Sequence, residues 1–228
     1  MHLPRLDRRT HLRALLGLVA APALAACARH QPRVPTRPAA RAGSPGADPS
    51  AELLDTDDGP ITIDRLDPQL GPRDAHAVVV IFSDFQCPFC RDIAAVMAKI
   101  RAESPKDVRL VFKHLPTPMH FHARAASVAA QVVFLEGGTD AFWRFHDRAF
   151  AHQSDIDQSV LFAWARDEGV RAEAITERGP EAERRVSDDI ALAERLSIHG
   201  TPHLYVNGRT IAGAYPYEQM RSWVDEVL

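Results

Sequence analysis

The chain has 228 residues, 46% hydrophobic and 25% charged, with three cysteines and a formal net charge of −3. A hydrophobic share near half excludes a disordered chain, which lacks the apolar surface to offset its conformational entropy. Three cysteines exclude a small disulfide-stapled scaffold, and the slightly acidic balance excludes a nucleic-acid partner, which demands a clear basic excess. The odd cysteine count asks for one thiol with a separate purpose.

Arg5, Arg8, Arg9 and Arg13 make a positive region, and the thirteen residues Ala14–Ala26 that follow are apolar or small. That run is shorter than the roughly 20 residues a bilayer-spanning helix needs. It has the build of a signal h-region, so residues 1–26 are expected to be an export signal. The run ends Leu24-Ala25-Ala26-Cys27, which resembles a bacterial lipobox. On that resemblance Cys27 is acylated and tethers the protein to a lipid bilayer on the extracytoplasmic or periplasmic side; the alternative is cleavage after an Ala-x-Ala-like site, with Cys27 left as a stray thiol. Asp7-Arg8-Arg9-Thr10-His11-Leu12-Arg13 also resembles a twin-arginine export signal, with His11 where that pattern has an aromatic residue. The alternative is that these arginines only supply n-region charge.

Residues 27–58 contain Pro32, Pro35, Pro38, Pro45 and Pro49 among Ala, Arg and Gly, without apolar periodicity, and are expected to form a flexible tether. Loss of residues 1–26 removes four of the 27 basic and one of the 30 acidic side chains, leaving a net charge of −6. Residues 59–228 suffice for one mildly acidic α/β domain.

Within it, Ile61–Ile63 reads as a short leading strand. Val78-Val79-Val80-Ile81-Phe82 is a β-branched apolar run, as in a strand buried on both faces. Pro88 opens a helix with Ile93, Val96, Met97 and Ile100 at helical spacing, ending near Ser104, and Val108–Phe112 is a second buried strand. From His122 to about Leu196 the pattern is helical. Ala125, Ala129 and Val133 suggest one face; Leu161, Trp164 and Ala165 a second, closed by Gly169; and Val186, Ile190 and Ala193 a third. Glu181–Arg185 reads as a solvated face, Phe142, Trp143 and Phe145 as helix core, and His114, His120, His122 and His146 as packing or surface residues. His120 and His122 could also border a substrate groove. Leu204-Tyr205-Val206, Asn207-Gly208 and Arg209-Thr210-Ile211 form a hairpin signal, since Asn-Gly tolerates positive φ in a tight turn. A helix from Tyr217 closes a β-α-β, helical insertion, β-β-α order, with the insertion at about 118–197.

Cys87 and Cys90 fall three apart where the Val78 strand gives way to the Pro88 helix. A thiol at a helix start meets unpaired N–H groups and the positive end of the helix dipole, which lower its pKa and make it a nucleophile. Cys90, one turn further in, can attack a mixed disulfide formed on Cys87. A single C-x-x-C lacks the four ligands of structural zinc. Copper held by Cys87, Cys90 and a histidine, with His199 and His203 as candidates, is the metal alternative. Gly200-Thr201-Pro202 before the Leu204 strand is a candidate cis-proline.

This ordered set resembles the DsbA-like branch of the thioredoxin superfamily from about Ile61 to Leu228. It comprises Phe82-Ser83-Asp84-Phe85-Gln86-Cys87-Pro88-Phe89-Cys90, Phe112-Lys113-His114-Leu115-Pro116, Phe142-Trp143-Arg144-Phe145-His146-Asp147, Gly200-Thr201-Pro202 and Val206-Asn207-Gly208. The resemblance implies a thioredoxin fold with a helical insertion and protein-disulfide oxidoreductase activity. It assigns Cys87 the mixed disulfide and Cys90 the resolving role. Pro202 and Thr201 then shape the docking site, with Pro88, Phe89 and His203 beside it. No metal or organic cofactor is implied, because the Cys87–Cys90 pair holds the electrons. The partners implied are reduced or misoxidised exported proteins and a membrane redox partner. A reductase or isomerase is the same chemistry run differently.

Two positions carry further expectations. Many relatives place an acid six residues before the first cysteine, and here that position is Ile81, which leaves water or Asp84 to handle the Cys90 proton. Phe89 offers no hydrogen-bond donor to the thiolate, so the pair is expected to be less oxidising than oxidases near roughly −120 mV.

Overall fold

The computed structural model of the protein describes residue 48 and residues 50–228. The expected signal segment, Cys27 and most of the tether lie outside the described residues.

A five-stranded sheet runs in the order β3 (Gln69–Leu70), β5 (Val108–His114), β4 (Ala77–Ser83), β6 (His203–Val206) and β7 (Arg209–Ala212). β4 and β5 are parallel, joined by α1 (Pro88–Glu103), and the other pairings are antiparallel. The long apolar runs become the central strands because both sheet faces are covered. Ala77, Val79, Ile81, Leu110 and Phe112 pack with residues of α1, α2 (Ala123–Ala151), α3 (Gln158–Asp167) and α5 (Tyr217–Asp225). Val78, Val80, Phe82, Val111 and Tyr205 face the opposite layer, built from β1 (Glu52–Leu54), β2 (Ile61–Ile63) and the end of α4 (Ala172–Arg195). From β4 onward the expected order, β-α-β, helical insertion and β-β-α, is the observed one, and the leading strand Ile61–Ile63 is β2; β1 and β3 were not expected.

β1 falls inside the stretch whose composition suggested a tether. Within it Glu52–Leu54 is strand, paired with β2 and burying Leu54. A three-residue strand behind a proline-rich run carries no readable periodicity. Of the expected Ala125-Ala129-Val133 face of α2, Val133 is buried and Ala129 packs half-buried against the core, but Ala125 is exposed, and the buried side chains also include Ala123, Ala126, Ser127, Ala130 and Gln131. α2 then breaks at Gly138, whose φ of 73° suits glycine. The Asn207-Gly208 turn has both residues at positive φ, and a Cβ on Gly208 would lie 2.2 Å from the Asp55 carbonyl oxygen.

Glu181–Arg185 is not a fully solvated face. Arg185 is buried, pairing with Asp189 at 3.1 Å, Asp64 at 3.1 Å and Asp67. Lys113, on β5, reaches Asp67 at 2.7 Å and donates to the Thr62 carbonyl at 3.0 Å. Two cations and three carboxylates therefore join β2, the segment after it, β5 and α4. The Asp189 carboxylate also accepts from the His114 N–H at 2.9 Å.

Candidate active site

β4 ends at Ser83, and the chain turns through Asp84-Phe85-Gln86 into α1. The turn is held by the buried Asp84 carboxylate. One oxygen accepts from the Gln86 N–H at 2.8 Å; the other accepts from the Thr117 N–H (2.8 Å), the Thr117 hydroxyl (2.7 Å) and His120 Nδ1 (2.8 Å). Gln86 in turn accepts from the His122 N–H at 2.6 Å. The loop 115–122 is thus fastened to the cysteine turn, and it presents Met119 and Phe121, both strongly exposed. Just beyond α2, in the single 3-10 turn Gln153–Asp155, Gln153 donates to the carbonyls of Phe85 at 2.9 Å and Cys87 at 2.8 Å.

Cys87 caps α1 with extended backbone, and Pro88 begins the helix where its missing N–H would be unpaired anyway. The first turn carries no acidic residue, so the positive helix end is left for the thiol. Cys87 is held down to about 6. The largest cause is a hydrogen bond from the Cys90 thiol; burial opposes it, and the Thr201 side chain and the N–H groups of Cys90 and Phe89 assist. Cys87 Sγ lies 3.4 Å from the Thr201 carbonyl oxygen. The Thr201–Pro202 peptide is cis, as the sequence suggested.

Cys90 is fully buried, and burial drives its thiol far above the ordinary range. The Cys87 thiolate beside it adds to the rise, while bonds from the Asp84 N–H, at 3.4 Å, and the Ser83 hydroxyl oppose it. Both cysteines are free thiols. One site therefore contains a thiol ionised at neutral pH and a partner held as S–H.

The structure brings together Cys87, Cys90, Pro88, Phe89, Thr201 and Pro202, with His203 opening β6 just beyond. Phe89 is 61% exposed, whereas His203 is buried, its pKa lowered by that burial, its ring 5.1 Å from that of Tyr205. Among the described residues no three His, Cys, Asp or Glu side chains form a group able to hold a metal ion. Asp84, offered as proton acceptor for Cys90, has its carboxylate committed to the loop 115–122 and only its N–H on the sulfur. His120 and His122, read as packing or surface residues that could also border a substrate groove, lie in the loop 115–122 beside the cysteine turn; Ser83 and Gln153 were not anticipated as parts of the site, because no motif spacing marks them.

Residues 78–225 match the family model of the DSBA-like thioredoxin domain. The catalytic domain of Proteus mirabilis ScsC is 26% identical with a TM-score of 0.64, covering 72% of this chain and 89% of that one. Oxidised BdbD from Bacillus subtilis is 27% identical with a TM-score of 0.63, covering 71% and 93%. Na(+)/H(+) antiporter NhaA 1 of Salinispora arenicola is 32% identical over 168 residues, which are 72% of this chain. The chain spans only about a quarter of the length of the curated relatives it matches. Among the described residues no helix is long and apolar enough to cross a membrane. With the family match running through both cysteines and the Thr201–Pro202 turn, the chain belongs to the DSBA-like thioredoxin domain family, a family of protein-disulfide oxidoreductases.

Proposed function

We propose that the protein is an exported thiol–disulfide oxidoreductase acting on envelope or secreted proteins. The observation that carries this reading is the unequal thiol pair: Cys87, with its pKa near 6, facing the Thr201 carbonyl, above a buried and protonated Cys90. In the oxidising direction a substrate thiolate attacks Cys87, and Cys90 leaves as a thiolate that takes up a proton. A second substrate thiol then resolves the mixed disulfide, and Cys87 leaves readily because its thiolate is stable. In the reverse direction Cys90 resolves. The cysteine pair carries both electrons, so no other cofactor enters.

Phe89, Met119 and Phe121 supply exposed apolar surface on two segments that Asp84 and Gln86 fasten together. That surface suits unfolded polypeptide. Thr201 and Pro202 form the edge a substrate strand lies against. Residues 1–26 act as the export signal, Cys27 as the lipid anchor and the segment after it as the tether, with a membrane protein regenerating the pair. The antiporter name is not carried over to this chain.

The test is a Cys90→Ala chain expressed in the native envelope, with mass spectrometry of whatever remains linked to Cys87. Many secreted proteins bound through Cys87 support general exchange, and one recurrent partner marks a dedicated assembly reductase. No linked protein, with purified protein inactive on a reduced peptide, refutes the reading. Phe89 points to solvent and gives Cys87 no side-chain donor, which favours a pair less oxidising than roughly −120 mV.

A further inference from the structure

A small cavity of about 60 Å³ lies under Cys90, walled mainly by apolar side chains including Ile81, Met97 and Phe112. Its polar lining is Ser83, Cys90, the Trp143–His146 edge of α2, and Asp147. The Trp143 indole N–H is buried without a hydrogen-bond partner among protein groups. A space of this size, lined by such groups, has room for water. Five aromatic rings surround His146, those of Phe85, Phe112, Phe142, Trp143 and Phe150, the nearest 4.7 Å away. Its Nδ1 bonds the Asp147 carboxylate at 2.8 Å, and that carboxylate is 76% exposed. With Nδ1–H donating to Asp147, the lone pair of the neutral ring is on Nε2.

We propose that Ser83, the cavity and His146 form the proton path of Cys90, with Asp147 orienting His146 and opening the path to solvent. The inference rests on the exchange reaction proposed above. When Cys90 resolves a mixed disulfide, its S–H proton passes through the Ser83 hydroxyl and cavity water to His146. The thiolate attacks Cys87 Sγ, the Cys87–Cys90 bond forms, and the bond from Cys87 to the substrate sulfur breaks. The Cys90 sulfur is oxidised and the substrate sulfur reduced; the substrate leaves as a thiolate and takes a proton from water. His146 returns its own proton to solvent beside Asp147. In the opposite direction each step reverses.

The alternatives near Cys90 are closed. Ile81 has no proton to move, and the Asp84 carboxylate is held by four other contacts. Burial keeps His146 neutral at pH 7, as an acceptor must be, and Asp147 stabilises the imidazolium once formed. The titratable groups facing the cavity are Cys90 from α1 and His146 and Asp147 from α2; β3, β4 and β5 contribute only Leu70, Ile81, Ser83, Leu110 and Phe112. His114 stands beyond Phe112, bonded to Gln131 at 3.0 Å.

The test uses the full chain carrying a preformed mixed disulfide between Cys87 and glutathione, with glutathione release followed against pH. We expect His146→Gln to slow release at pH 7 by about a hundredfold, the lower end of the range for general acid–base catalysis, and the deficit to close at high pH where hydroxide removes the proton. Asp147→Asn, altered at an exposed carboxylate, slows release in the same pH-dependent way by a smaller factor. Alkylation of Cys87 stays unchanged in both. If His146→Gln does not fold, Asp147→Asn decides alone. Variants that follow the wild-type pH profile overturn the proton path and leave the exchange reading intact. A wild-type protein that does not release glutathione overturns the exchange reading itself.

Discussion

Replacing Cys90 by alanine removes the largest of the interactions that keep Cys87 ionised. At a pKa of about 6, about 90% of Cys87 is thiolate at pH 7, against about 3% for an ordinary cysteine at about 8.5. Complete loss of the effect would lower reactivity at pH 7 by about thirtyfold. The helix N-terminus, the Thr201 side chain and the Phe89 N–H remain, so the shift stops part-way. We expect the Cys90→Ala variant to titrate between about 7 and 8, with alkylation by iodoacetamide at pH 7 slowed roughly two- to tenfold. Cys90→Ser keeps a donor at the same place and should stay near the wild type. Thiolate absorbance against pH measures all three proteins. A Cys90→Ala protein that titrates with the wild type would show that the helix end alone sets the value and would refute the assignment to Cys90. A Cys90→Ser protein indistinguishable from Cys90→Ala would refute the hydrogen bond as cause. Trapping with Cys90→Ala accordingly works best above pH 8.

The stability of the reduced protein should pass through a maximum with pH. The lowered Cys87 pKa contributes stability above about pH 6 that grows towards the unfolded value of about 8.5, and acidification through 6 removes it. The raised Cys90 pKa acts oppositely, its contribution being lost above about 8.5 as the unfolded thiol ionises. Denaturant unfolding of the reduced protein beside Cys87→Ser isolates the first effect, and identical pH curves would disprove it. Lys113→Met leaves Asp67 and Asp189 buried with one cation fewer and should cost about 3–5 kcal/mol. A loss under about 1 kcal/mol in denaturant unfolding would show that Arg185 alone compensates those carboxylates. Asp84→Asn must turn one donor towards Thr117 or Gln86 and should lower stability by about 1–3 kcal/mol. It should leave the pH profile of glutathione release from Cys87 unchanged, and a profile displaced like that of His146→Gln would return the proton role to Asp84.

The readable parts of this chain were those whose signal is local. β4 and β5 are buried on both faces, so burial shows as the unbroken apolar run of Val78–Phe82 and as the mostly apolar Val108–Phe112; Asn207-Gly208 marks its hairpin because few other pairs accept that turn; and Cys87-Pro88-Phe89-Cys90 carries spacing and helix start in four letters. What escaped depends on partners distant in sequence. Lys113 and Arg185 each look like solvated charges, and only the fold sets both against Asp67. Ile190, read as core, is half-buried, while Asp189 beside it faces the charges under α4. The face of α2 was misjudged because its helix answers to the sheet and to α4 together and breaks at Gly138. His146 was visible as a residue, but its neighbourhood with Cys90 was not.

Gln153 has one amide group and places its two hydrogens on the carbonyls of Phe85 and Cys87. The helical insertion thereby acts as a clamp on the turn that carries the nucleophile, rather than as a lid resting above it. Any motion that lifts the insertion unfastens that turn at the same instant. Opening the protein to a bulky client and loosening the grip on its reactive sulfur are then a single mechanical event.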